Sequence, residues 1–160
     1  MSAVVLGVGN PLYGDDGFGI AALSLFEQRF RCGDDVELID GGTQGIALLG
    51  VIEDATELVI LDVVQGESLT PGAFVEYDAA RLASGVPLKL SEHQVGVEEV
   101  LGLAVWRERL PARSVLLGVV AGAHDFGASL SDEVAAALPV VVDRAAQMLR
   151  DWGREVVQRS

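Results

Sequence analysis

Two kinds of apolar spacing alternate along the chain. Residues 3–8 (AVVLGV) and 57–64 (ELVILDVV) are nearly continuous apolar runs, the pattern of strands buried on both faces of a parallel sheet. Residues 35–39 (DVELI) and 115–120 (VLLGVV) read as two more strands, and AFVEYD (73–78) as a candidate edge strand. Between them the apolar positions shift to helical spacing. Phe18, Ala22, Leu25, Phe26 and Phe30 predict a helix over 17–31. DGGT then turns the chain, with Thr43 as N-cap of a helix through GIALLGVIED. Residues 79–90 look loop-like. Ser91-Glu92-His93-Gln94 fits a capping box, with Ser91 as N-cap and Gln94 at the third helical position. The helix that follows sets Val97, Val100, Leu101 and Ala104 on one face. Ser131 is placed to cap a last helix with the stripe Val134, Leu138, Val141, Val142, Ala145, Leu149 and Trp152; Pro139 inside it predicts a kink.

Strands alternating with helices imply βαβ units. The expected fold class is α/β: a three-layer αβα sandwich whose twisted, mostly parallel sheet has about five strands and carries helices on both faces. One domain, 1–160, accounts for the whole length, with no repeat, linker or low-complexity segment. Ligands of such sheets bind outside the C-terminal strand ends. That rule gathers GNPLYGDD, DGGT and the Asp62 end of the third strand around one crevice.

Charge and composition narrow the partners. The net charge of −13 lacks the basic face that phosphate backbones require, so no nucleic acid is expected, and docking on anionic lipid is disfavoured. No run of about 18 apolar residues suggests membrane insertion. The N-terminus has neither a basic segment nor a long apolar one, so a cytoplasmic location is expected. A single cysteine, Cys32, rules out an internal disulfide; beside Gly33 it reads as a small filler near a helix end rather than a nucleophile.

The crevice carries the chemical question. GNPLYGDDGFG (9–19) sets Asp15 and Asp16 side by side after a buried strand, where like charges raise each other's pKa. A dinucleotide site fits poorly: G-x-G-x-x-G requires glycine at 12, which is Leu12, and carboxylates repel a pyrophosphate. A receiver-like domain, with Asp15 and Asp16 binding magnesium beside a phosphorylated Asp62, lacks a lysine after the last strand. The single lysine is Lys89. A third arrangement adds His93. Two carboxylates and an imidazole suit a borderline divalent metal such as nickel or zinc, and three protein ligands leave positions open for water or substrate. The positive end of the helix dipole favours the neutral imidazole a metal requires. A cation would then offset Asp16, while Asp15 caps the following helix or holds the loop.

GVGNPLYGDDGFG, DGGTQGIALL, LVILDVV, SEHQVGVEEVL and LLGVVAGAHDFGASLSDEV resemble, in order and over nearly the whole chain, the motifs of the nickel–iron hydrogenase maturation proteases. The resemblance implies an endopeptidase that removes a C-terminal extension from the hydrogenase large-subunit precursor after nickel insertion, cutting just after a cysteine-containing motif whose thiolates hold the metals. It implies Asp16, Asp62 and His93 as the residues that meet the metal. Some members have glutamate where this chain has Asp16; either supplies a carboxylate. It also implies that nickel arrives in the substrate, with zinc or cadmium able to stand in for it in vitro, and that the large-subunit precursor is the partner. A monomer is expected. One departure is the loop after 115–120, which often carries a polar pair such as Gln-Pro where this chain has Val120-Ala121-Gly122.

No Ser-His-Asp arrangement can be assembled, so no covalent intermediate is expected. Either the metal polarises the scissile carbonyl or activates a water, or it only docks the substrate while Asp16 or Asp40 acts as general base. Asp40 has a plainer reading, as an Asx-turn residue supporting Gly41 and Gly42. His124 and Asp125 read as solvated. Trp106 stands out as a possible partner contact, and Trp152 as packing for the last helix.

Overall fold

The structure is a computed structural model that describes residues 2–65, 69–83, 97–122, 126, 127 and 129–160. Its strands are β1 (Ala3–Val8), β2 (Phe30–Cys32), β3 (Val36–Gly42), β4 (Glu57–Val64), β5 (Phe74–Asp78), β6 (Ser114–Val120) and β7 (Val156–Gln158). Its helices are α1 (Phe18–Arg29), α2 (Leu49–Asp54), α3 (Ala79–Ala83), α4 (Val97–Trp106) and α5 (Asp132–Asp151). Five strands form the main sheet in the order β3-β1-β4-β6-β5, and β2 pairs with β7 in a separate two-stranded ribbon. The first four are mutually parallel, while β5 runs antiparallel along the edge of β6. The expected α/β sandwich is therefore the observed one.

The side-chain alternation of each strand builds the two outer layers. Val59, Leu61 and Val63 of β4 and Leu117 and Val119 of β6 face α1 and α5. Leu58, Ile60 and Val64 with Leu116 and Val120 face α2, α3 and α4, whose Val97, Val100, Leu101 and Ala104 are buried as their spacing predicts. Asp62 falls in the second row, between Ile60 and Val64, on the face that α4 covers.

Three local expectations are revised. The helix after DGGT starts as a 3-10 turn, Gly45–Leu48, with Gln44 at its cap position and no side-chain cap, so Thr43 is not the N-cap. Residues 79–83, read as loop, form α3, where the Asp78 carboxylate accepts from the Ala80 N–H at 2.8 Å. Ser131 occupies the N-cap position of α5 without capping it; its hydroxyl is used elsewhere. Cys32 lies in β2 opposite Val156, beyond the end of α1. Burial, followed by the nearby Asp35 charge, pushes its thiol pKa up against the opposing pull of Arg159. α5 runs through Pro139 as one helix. The capping box at 91–94 lies outside the described residues.

Candidate active site

Chain order reverses between β1 and β4. From β1 the chain crosses to β3 on one side, then returns to β4 on the other. Such a switch point leaves a crevice at the carboxyl ends of the strands. The segment after β1 and the distal part of β4 both lie there, which brings Asp16 to Asp62.

The two adjacent aspartates have different surroundings. After Gly14, which takes the left-handed φ of 57°, residues Gly14–Gly17 form a 3-10 turn that runs directly into α1, with both carboxylates completely buried. Asp15 is a strut. Its carboxylate accepts from the Gly122 N–H at 2.8 Å, the Ser131 N–H at 2.7 Å and the Ser131 hydroxyl at 2.8 Å. It thereby ties the loop after β1 to the segment between β6 and α5. The Gly127 N–H donates to the Leu12 carbonyl, and the Tyr13 and Phe126 rings meet edge-on, centroids 5.4 Å apart, along the same seam. The sequence left open whether Asp15 caps a helix or holds the loop; it holds the loop.

Asp16 accepts from the Asn10 N–H at 3.1 Å and faces inward. Asp62 is 0% exposed. One of its oxygens, Oδ1, accepts from the neighbouring Val63 N–H at 2.8 Å, and the other, Oδ2, has no partner among the described residues. Burial pushes the Asp62 pKa well up; the Val63 N–H opposes this, and the charges of Asp16 and Glu98 add to it. A buried carboxylate with a bare oxygen beside other carboxylates is a place that attracts a cation. Asp16 and Asp62 therefore suit the oxygen half of a mixed nitrogen–oxygen donor set. His93, expected as the third donor, lies outside the described residues, as do His124 and Asp125.

Asp40 lies in the last part of β3, towards the same edge of the sheet, but it is exposed, and its Oδ1 accepts from the Gly42 N–H at 3.0 Å. That is the Asx-type support of a turn in which Gly42 takes φ 47°. Trp106 is 80% exposed at the end of α4, whereas Trp152 packs against the α1–α5 core. One residue was missed. Glu98, in the first turn of α4, also has a buried oxygen, Oε2, without a partner among the described residues. The available signal was helical phase: Glu98 lies three residues before Leu101, on a face that is buried.

The model of the hydrogenase maturation protease family matches residues 20–148. The chain belongs to the hydrogenase maturation proteases. Among its relatives, the hydrogenase expression/formation protein HupD of Rhizobium leguminosarum bv. viciae is 35% identical over 98% of this chain and 78% of its own length. The hydrogenase 2 maturation protease of Escherichia coli K12 is 30% identical over 99% and 97%. The fold agrees at the same level. The hydrogenase maturating endopeptidase HybD from E. coli superposes with a TM-score of 0.90 at 30% identity, covering 99% of this chain and 98% of that one. The maturation protease HybD from Thermococcus kodakarensis gives 0.72 at 28% identity over 92% and 99%. This maturation protease family supplies the peptidase class. No helix among the described residues is long and apolar enough to cross a membrane.

Proposed function

We propose that this chain removes the C-terminal extension of a nickel–iron hydrogenase large-subunit precursor, and that it recognises the precursor through its nickel with Asp16, Asp62 and His93. The observation that carries the reading is the Asp62 carboxylate: fully buried, half unpartnered among the described residues and next to a second carboxylate. Such a pair is costly in an empty crevice and favourable around a divalent ion. An ion delivered inside the substrate makes recognition depend on loading.

In this reading each aspartate offers one oxygen and His93 one ring nitrogen, leaving further positions to the substrate's own ligands and to water. The scissile peptide lies against the same crevice. The carbonyl is polarised, water oxygen adds to its carbon, the C–N bond breaks, and the amine nitrogen leaves with a proton. Asp15 fixes the loop that carries Asp16, so the carboxylate is already oriented when the substrate arrives. Asp40, exposed on the same edge, is the alternative acceptor for the water proton if the metal only docks the substrate. The protein works in the cytoplasm as a monomer, and zinc or cadmium takes the nickel position in vitro.

The test is the intact mass of the hydrogenase large subunit from cells carrying the wild-type chain, no copy, or His93→Ala. Retention of the extension in the last two supports the proposal. Normal processing with His93→Ala refutes the metal model, and normal processing without any copy refutes the assignment of this substrate.

A further inference from the structure

Glu98 belongs to no part of the function described so far, yet its position is unusual. α4 leads into β6, which is parallel to β4, so its N-terminus lies at the carboxyl edge of the sheet, on the face to which Asp62 points. Glu98 Oε2 is buried there without a partner among the described residues, as is Asp62 Oδ2. Among the described residues, the charges acting on Asp62 are those of Asp16 and Glu98, both negative. Four of the arginines are committed elsewhere: Arg107 to Glu53, Arg113 to Glu57, Arg144 to Glu76, Arg154 to Asp35 and Glu57. A third carboxylate in this spot deepens an unfavourable charge cluster at Asp62 that no described positive charge offsets.

No three described His, Cys, Asp or Glu side chains are grouped closely enough to hold an ion, so Glu98 does not complete a ligand set with Asp16 and Asp62. We propose that Glu98 is an outer positioning carboxylate of the metal site, raising its affinity for a divalent cation without ligating it. It does so by charge, and by offering Oε2 as acceptor to a water on the ion. Losing an outer group of this kind typically costs about 10–100-fold in metal affinity. The inference rests on the metal reading above and adds a residue to it.

Two variants separate this role from net charge and from packing. Glu98→Gln removes the half-buried charge at nearly constant shape. Glu99→Gln removes the same charge one residue on, where the side chain is exposed and screened by solvent. Nickel binding to the purified full chain is measured by titration calorimetry with nickel ion alone, alongside the Tm of the metal-free protein. Glu98→Gln is expected to weaken nickel binding about tenfold or more while leaving Tm unchanged or higher. Glu99→Gln is expected to match the wild type in affinity. Wild-type affinity in Glu98→Gln, equal weakening in both variants, or a lowered Tm for Glu98→Gln would each overturn the proposal. Asp62→Asn is the parallel control. Loss of binding there with none in Glu98→Gln removes only the Glu98 role. A wild-type chain that takes up no nickel, or an Asp62→Asn chain that binds it normally, removes the metal reading as well.

Discussion

Glu57 and Asp62 lie on the same strand, β4, and both are buried, at 5% and 0% exposure. At the first end, Glu57 Oε2 accepts from Arg113 at 3.1 Å and Oε1 from Arg154 at 2.7 Å, and Arg154 reaches on to Asp35. At the other end Asp62 has, among the described residues, one backbone N–H, one bare oxygen and negative neighbours. The first carboxylate is neutralised from within the chain, as a structural ion pair should be. The second has no positive charge beside it among the described residues. A fold that can supply two arginines to Glu57 is not short of means. No described arginine does the same for Asp62, an imbalance of the kind that functional sites show.

The sharpest way to break this contrast is to neutralise each carboxylate in turn. Asp62→Asn is expected to bring processing below detection while the metal-free protein melts no lower than the wild type, because the change removes an uncompensated buried charge. Glu57→Gln is expected to do the reverse. It strips charge-assisted hydrogen bonds from two arginines, costing about 2 kcal/mol, or a fall in Tm of roughly 4–8 °C, with processing intact. If both variants lose activity and stability together, the two ends of β4 are not distinct.

A pH series sharpens the same comparison. Asp62 keeps its proton to higher pH in the fold than in the unfolded chain, where an aspartate titrates near about 3.9. The folded state therefore binds more protons above that pH, and stability falls as pH rises towards the folded pKa. Asp62→Asn lacks this term. The Tm advantage of the variant over the metal-free wild type is expected to grow from pH of about 4 upward; an advantage that does not change with pH contradicts it. The smallest effect is expected at the strut. Ser131→Ala removes one of the donors to Asp15 and is expected to cost about 1 kcal/mol, with a raised KM for processing as the loop after β6 loosens.

The sheet was legible because buried parallel strands announce themselves: residues 3–8 and 57–64 match β1 and β4 in full, and the apolar stripe of α4 was right at each position. β2 and β7 escaped because three residues are too few for a periodic signal, and α3 because a single helical turn ahead of 84–90 carries little pattern of its own. Thr43 was chosen on cap chemistry, but the tight 3-10 turn begins one residue later. At the site, Asp16 and Asp62 could be named from strand-end position and family resemblance. Glu98 could not, since an acidic residue in a first helical turn ordinarily satisfies the dipole from solvent. Its burial depends on how α4 lies over β4. The role of Ser131 was hidden for a similar reason: a hydroxyl at a helix start reads as a cap, whereas here it answers a carboxylate distant in sequence.

The central claim is that the carboxylates of the crevice await the nickel of the substrate. Its most direct test sets the purified chain against the hydrogenase large-subunit precursor in two forms, nickel-loaded and nickel-free, and reads the intact mass of each after incubation. Loss of the extension from the loaded precursor alone is the predicted result. Equal cleavage of both forms would contradict the account.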